Sequence, residues 1–158
     1  MKSLPALAFG LALVGTPLIA DTQTVAVTAY GTSESFFDPL RGDLIVITAV
    51  SEFDTFEPAD GSDFIALANG QCFGSVTVLG GAASGGGNCV FSDEDGHRIL
   101  QRWSVDHLAD DVAYGTWTFL GGTGPHTDLT GRGHFSLTVA PISGQVVNEV
   151  IGIATYPD

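Results

Sequence analysis

The sequence predicts one all-β domain, a barrel or a sandwich of eight or nine strands. Short runs rich in Val, Ile, Thr and aromatic residues recur along the chain, and many of them alternate apolar with polar positions. Turn pairs such as Asn69-Gly70 and Gly80-Gly81 separate these runs. After the first twenty residues, no apolar pattern holds a helical period for more than about a dozen residues.

Each predicted strand is one such run between turn signals. In chain order they are Thr24–Tyr30, Leu44–Phe53, Phe64–Ala68, Cys72–Leu79, Asn88–Phe91, Arg98–Val105, Thr116–Leu120, Gly133–Ala140 and Gln145–Tyr156. Residues 99–111 also allow a helix, in which Ile99, Trp103 and Leu108 would share a face. Gln101 fits the alternation of a strand, and a strand is the favoured interpretation. Two segments, Ser51–Asp63 and Gly80–Asn88, are predicted to be surface loops.

The beginning of the chain reads as a secretory signal peptide, Met1–Ala20. Lys2 supplies its positive charge, Leu4–Leu18 carries no charge, and the segment ends on a small residue. We therefore expect an exported protein, periplasmic or extracellular, whose single β domain covers residues 21–158. No repeat or linker divides that segment.

The charge balance excludes several classes of partner. The chain has 18 Asp and Glu residues against 5 Lys and Arg residues, a formal net charge of −13. Its lysine, Lys2, lies in the predicted signal peptide. A nucleic-acid partner requires a basic surface, and an anionic membrane would repel this protein. Neutral or cationic partners fit better.

The two cysteines are expected to form a disulfide, because the chain is predicted to enter an oxidising compartment. If Gly80-Gly81 is a two-residue hairpin turn, counting outward along both strands places Cys72 directly opposite Cys89. A bridged loop is the alternative, since the glycine-rich segment after the turn is a poor strand.

One segment, GTWTFLGGTGPHTDLTGRGHF at Gly115–Phe135, carries a more specific pattern. With the preceding Asp93–Trp103, it resembles the signature hairpin of the allene oxide cyclase and dirigent-protein β-barrels and their exported bacterial relatives. The likeness covers Asp93–Ala140 and implies a single eight-stranded antiparallel barrel in which the glycines let a loop fold under the barrel. The sequence departs from the family at residues 125–126 and 127–128, which weakens the transfer of a plant enzyme's activity.

No other motif in the sequence indicates a catalytic, metal-binding or cofactor-binding site. The glycine-rich segment fits neither dinucleotide nor phosphate loops, and no nucleophile elbow indicates a catalytic triad. Asp93 and Asp95 begin like a calcium loop, but Ser104 stands at the twelfth position. The histidines lack metal-ligand spacing and are expected on the surface: His97, His107, His126 and His134. No metal and no cofactor are expected.

The predicted barrel interior is the candidate site, because alternation sends every second side chain inward. The inward residues include Ile99, Val105, Leu137 and Val139. Those expected to meet a ligand are Gln101, Trp103, Trp117, Phe119 and Phe135.

The last strand supplies the one candidate catalytic group, Glu149. The more apolar of its two faces carries Val147, Glu149, Ile151 and Ile153, and we expect that face to point inward. An inward Glu149 could donate a proton or a hydrogen bond to a ligand. The alternative is a filled core, with Glu149 near solvent or paired with an arginine.

Three functions remain open. The first is a non-catalytic barrel that binds a small apolar ligand or a partner in or at its mouth. The second, implied by the plant relatives, is an isomerase or cyclase that steers a reactive lipid-type intermediate in a hydrophobic cavity. The third is a purely structural secreted protein. A filled interior would leave only the third, and the sequence leaves open whether the barrel forms a homo-oligomer.

Overall fold

The structure, a computed structural model, describes residues 20–64 and 66–157. The predicted signal peptide, apart from Ala20, lies outside the described residues. None of the described residues belongs to a helix that is long and apolar enough to cross a membrane.

Eight antiparallel strands close into one barrel, in which each strand pairs with its neighbours in the chain and the last pairs with the first. The strands are β1 (Asp21–Arg41), β2 (Leu44–Pro58), β3 (Leu67–Leu79), β4 (Ala82–Asp93), β5 (Arg98–Ala109), β6 (Val112–Gly122), β7 (Thr130–Val139) and β8 (Gln145–Tyr156). A 3₁₀ turn, Gly124–His126, lies between β6 and β7. The predicted eight-stranded antiparallel barrel is confirmed, and residues 99–111 contribute a strand rather than a helix.

Several strands run further than their apolar patterns indicate. The predicted loop at Ser51–Asp63 is wrong in its first half, because β2 continues to Pro58 while paired with β1. The two predicted strands Phe64–Ala68 and Cys72–Leu79 are largely one strand, β3, and Phe64 lies in the loop before it. Backbone hydrogen bonds to the neighbouring strands stabilise these longer strands, although the side-chain pattern of the added residues predicts a strand only weakly.

The predicted loop at Gly80–Asn88 is also wrong beyond its first two residues. Gly80 and Gly81 form the tight turn, both with positive φ, and β4 begins directly after them at Ala82. Each glycine of this segment lies close to a neighbouring strand: a Cβ on Gly85 or Gly86 would meet backbone atoms of β3 or β5, and a Cβ on Gly87 would also meet the ring of Trp103.

The predicted disulfide is confirmed. Cys72 and Cys89 are direct partners across β3 and β4, in the register that the Gly80-Gly81 turn fixes, and they are bonded to each other. Closing a loop of 17 residues in the unfolded chain stabilises the fold by about 3 kcal/mol in the chain-entropy model.

Two tryptophans on neighbouring strands dominate the inner face. Trp103 of β5 and Trp117 of β6 are cross-strand partners. The indole of Trp117 lies over Gly133 and Gly152, which are themselves partners across β7 and β8. A Cβ on Gly133 or Gly152 would lie 2.7 or 2.6 Å from Cζ2 of the indole. The indole of Trp117 therefore fits here only because Gly133 and Gly152 have no side chains.

Trp103 is held in the same way over the two strands on the other side of its pair, β4 and β3. Its ring lies over Gly74 and Gly87, a partner pair of β3 and β4, and a Cβ on Gly87 would lie 2.6 Å from its Cζ2. The two indoles thus extend in opposite directions from one strand pair, each over a backbone surface that two glycines of the adjacent strands form.

The prediction for the inner face of β8 is wrong. Glu149 lies on the outer surface, where it accepts a hydrogen bond of 2.9 Å from Ser136 Oγ. Ile151 beside it on that face is 59 % exposed. The inner face instead carries Val146, Asn148, Val150, Gly152 and Ala154. Because the ring of Trp117 lies over Gly152, the face of β8 that carries this glycine must be the inner one, and Ile151 and Ile153 point outward.

Replacing Trp117 by alanine should lower the free energy of unfolding by about 3–5 kcal/mol, since the side chain is 2 % exposed. The indole N–H also donates to the carbonyl oxygens of His134 and Ile151, at 3.1 and 3.2 Å. Urea unfolding measures the effect, with Leu120→Ala, on the outer face of β6, as the control. Equal losses for the two variants would contradict the assigned inner face.

Candidate ligand-binding cavity

One end of the barrel is closed by apolar side chains from the connecting segments. Leu129, after the 3₁₀ turn, is 1 % exposed, and Phe64, from the β2–β3 loop, is 8 % exposed. Phe64 stacks on Phe119 of β6, with ring centroids 5.4 Å apart. Above this plug only a small void of about 30 Å³ remains.

The other end is open. A cavity of about 700 Å³ extends from the middle of the barrel toward the ends of the hairpins. Its outer part is lined by residues at or near three connections: Phe37 of the β1–β2 hairpin, Asp110 and Asp111 of the β5–β6 turn, and Pro141 and Gly144 of the β7–β8 connection. The interior is therefore not filled, and the open end forms its mouth.

The floor of the cavity carries polar side chains. Gln101 of β5 and Asn148 of β8 are 5 % and 8 % exposed, and both also border the small void beneath. Asn148 Oδ1 and the indole nitrogen of Trp103 are buried, and neither has a hydrogen-bond partner among the described residues. Buried polar atoms are normally paired. Two residues that line the cavity therefore hold one unpaired acceptor and one unpaired donor.

Strands β1 to β4 add hydroxyl groups and the disulfide to the cavity wall. Ser33 of β1 and Ser51 of β2 are buried, and Ser51 Oγ donates to Ser33 Oγ at 2.9 Å. Cys72 and Cys89 border the same space. The disulfide thus forms part of the cavity wall as well as a cross-link between β3 and β4.

Four of the five residues expected from the sequence to meet a ligand line this cavity: Gln101, Trp103, Trp117 and Phe135. Phe119 does not line it. It faces the small void and packs between Phe64 and Trp117, so it belongs to the closed end. Glu149, the candidate catalytic group, lies outside the barrel, and the predicted inward orientation is wrong.

Sequence reasoning missed Asn148. The sequence pattern predicts the opposite face of β8 as the inner one, because the face with Val147, Ile151 and Ile153 is richer in large apolar residues. The signal that could have found it is Gly152, four positions further on the same face, since a glycine inside a strand marks a place where a large neighbour approaches the backbone.

The prediction that all four histidines lie on the surface is wrong for His126, which is 2 % exposed. Its Nε2 lies 3.0 Å from Asp93 Oδ2, and its Nδ1 lies 3.2 Å from the hydroxyl of Tyr156. His97, 39 % exposed, approaches the same carboxylate oxygen at 3.3 Å. This network, at the closed end, joins the ends of β4 and β8 to the 3₁₀ turn.

Charge and burial act on two members of the network. The hydrogen bond from His126, supported by others from His97, lowers the pKa of Asp93 from 3.8 to about 2. Burial raises the pKa of Tyr156 above its ordinary value of 10.0, with a further contribution from the charge of Asp93. The phenol therefore stays protonated and can donate to His126 while the imidazole donates to Asp93.

The polar residues of the described segments do not group into a metal centre. No set of three His, Cys, Asp or Glu side chains in residues 20–64 and 66–157 is placed to hold a metal ion. Both oxygens of Asp93, where the sequence begins like a calcium loop, accept hydrogen bonds within the β4–β5 turn and its surroundings.

Comparison with known proteins supports the fold. No family model matches the chain, and no curated protein matches it. Among solved structures the chain is similar to the pterocarpan synthase dirigent protein GePTS1, with a TM-score of 0.50 and 13 % sequence identity over 97 % of this chain and 98 % of that chain. The structure is therefore a dirigent-like barrel, as the resemblance in the glycine-rich hairpin implied.

The network at the closed end should make stability depend on acid pH through Asp93. Its pKa is lower in the folded protein, so the stability it contributes is complete above about pH 4 and is lost as pH falls toward 2. Asp93→Asn should therefore be less stable than the wild type at pH 7, and the difference should shrink between pH 4 and pH 2. Thermal unfolding across this range measures it.

Asp95→Asn is the matched control for this experiment, because it removes one carboxylate from the same turn without removing an acceptor of His126. Its stability should follow the wild type at every pH. A gap between Asp93→Asn and the wild type that stays constant down to pH 2 would contradict the account.

Proposed function

We propose that this protein is an exported, non-catalytic barrel that binds one small, largely apolar molecule in its cavity. The observation that carries the proposal is a cavity of about 700 Å³ with unpartnered polar atoms at its inner end. Protein sites for small molecules typically have about 300–1,000 Å³, mostly apolar walls and a few placed polar groups.

The walls suit an apolar molecule with aromatic or aliphatic surface. Trp103, Trp117 and Phe135 contribute ring faces, and Val105 and Leu137 contribute aliphatic side chains. The rings of Trp103 and Phe135 meet edge to face, with centroids 6.4 Å apart. Rings held in this way keep their positions without a ligand, which lowers the entropic cost of binding.

The inner end suits a neutral polar group. The indole N–H of Trp103 can donate, and the side-chain oxygen of Asn148 can accept. A hydroxyl group both accepts and donates, so one hydroxyl or two separate polar atoms of a ligand can satisfy them. Leaving a buried donor or acceptor unpaired costs about 1–3 kcal/mol, and a ligand that pairs both regains part of that free energy.

Two observations favour binding over the other interpretations. A purely structural protein would be expected to fill its interior, whereas this barrel keeps an open space. The one catalytic group that the sequence offers to an isomerase or cyclase, Glu149, lies outside the barrel, and the described floor residues, Gln101 and Asn148, are neutral amides. The disulfide supports export, because such bonds persist in oxidising compartments.

A titration with N-phenyl-1-naphthylamine, a neutral apolar fluorophore, tests the proposal. The chain has two tryptophans and both line the cavity, so bound fluorophore should quench tryptophan emission by energy transfer. We expect saturable binding of one molecule per chain. Ala49→Phe, which fills the cavity from β2, should weaken binding by about tenfold or more.

Val50→Phe is the matched control, because Val50 is the next residue of β2 and lies on the outer surface, 37 % exposed. It should bind the fluorophore as the wild type does, and thermal unfolding establishes that both variants are folded. Two results would refute the cavity as the binding site: fluorophore binding to the wild type that does not saturate, or an equal loss of affinity in the two variants.

A further inference from the structure

The mouth of the cavity carries a pair of acidic side chains. Asp110 and Asp111 form the two-residue turn between β5 and β6, and both line the cavity. They are the non-glycine residues with positive φ in the described chain, 50° and 63°. Such turns favour glycine or asparagine. This turn instead places two negative charges side by side at the mouth.

The rest of the described structure does not neutralise this charge. Neither carboxylate has an ion-pair or hydrogen-bond partner among residues 20–64 and 66–157, where the ion pairs join Asp93 to His97 and His126. No arginine or histidine of the described residues lines the cavity. The whole chain carries a formal net charge of −13. The potential at the mouth therefore favours cations and repels anions.

The inner end of the same cavity points independently to a ligand. Asn148 lines the cavity and is 8 % exposed, and its buried side-chain oxygen has no hydrogen-bond partner in the described residues. Strand β5 runs from Gln101 at the floor to the turn at Asp110, nine residues on. At about 3.3 Å per residue and a tilt near 40°, floor and mouth are roughly 20 Å apart along the barrel axis.

We propose that the cavity selects an elongated cationic amphiphile, a molecule with a neutral hydrogen-bonding group at its inner end and a protonated amine at its outer end. The apolar body lies between Trp103 and the wall of β1 and β2, and the amine meets Asp110 and Asp111. This inference rests on the proposed function, since it adds charge selectivity to the same cavity.

The experiment uses three probes that differ only at the outer end: 12-amino-1-dodecanol, 1,12-dodecanediol and 12-hydroxydodecanoate. Each keeps a hydroxyl for the floor. Isothermal titration calorimetry at low salt should rank the amine above the diol and the diol above the carboxylate. Exposed charge pairs contribute modestly, so the amine should bind roughly three- to thirtyfold more tightly than the diol, and added salt should reduce that preference.

The variant that tests the mechanism is Asp110→Asn/Asp111→Asn. Asparagine is readily accommodated at positive φ, so the turn is retained while both charges are removed. The variant should bind the amine about as tightly as the diol, with the affinity for the diol unchanged. Asp60→Asn/Asp95→Asn is the control, since it makes the same change in net charge at the closed end and should preserve the preference for the amine.

The outcomes distinguish a failure of the charge selectivity from a failure of the proposed function. Three results would overturn the charge selectivity and leave the proposed function in place. They are equal affinity for the three probes, tightest binding of the carboxylate, and an amine preference that survives Asp110→Asn/Asp111→Asn. If the wild type binds none of the three probes and does not bind N-phenyl-1-naphthylamine either, the proposed function fails and the selectivity fails with it.

Discussion

Two indole rings can enter this barrel only because each one lies against a pair of glycines. Trp117 covers Gly133 and Gly152, and Trp103 covers a second glycine pair, on β3 and β4. An eight-stranded barrel is just wide enough to be filled by ordinary side chains. Large rings on β5 and β6 require glycines on the adjacent strands, and the distribution of small and large residues decides where the interior is filled and where it is open.

The two ends of the barrel show the two results of this distribution. At the closed end, Phe119, Phe64 and Leu129 complete the core, and the buried His126 network ties the connecting segments together. Toward the mouth the inner face of β2 carries smaller residues such as Ala49, and the space opens. The closed half is thus filled, and the other half has space to hold a ligand and carries the acidic turn.

The sequence predicts the fold well because its strongest signals are local. Alternation in β5 to β7 and a two-residue turn are enough to place the inner residues of three strands and the Cys72–Cys89 pair. It fails where a long-range contact overrides a local pattern. The apolar face of β8 predicts an inward Glu149. The indole of Trp117 leaves no room for a side chain above Gly152, however, so the face that carries this glycine points inward. His126 looked like a turn residue, and its burial depends on Asp93 and Tyr156, far away in the chain.

The central claim is that two tryptophans, held over glycine pairs, border an open and mostly apolar space, and xenon tests it most directly. Xenon occupies apolar cavities. In ¹H–¹⁵N spectra of the protein under xenon pressure, we expect saturable shifts of the indole N–H signals of both Trp103 and Trp117, with the amide of Leu129 at the closed end unchanged. Indole signals that do not respond to xenon would show a filled interior and would contradict the account.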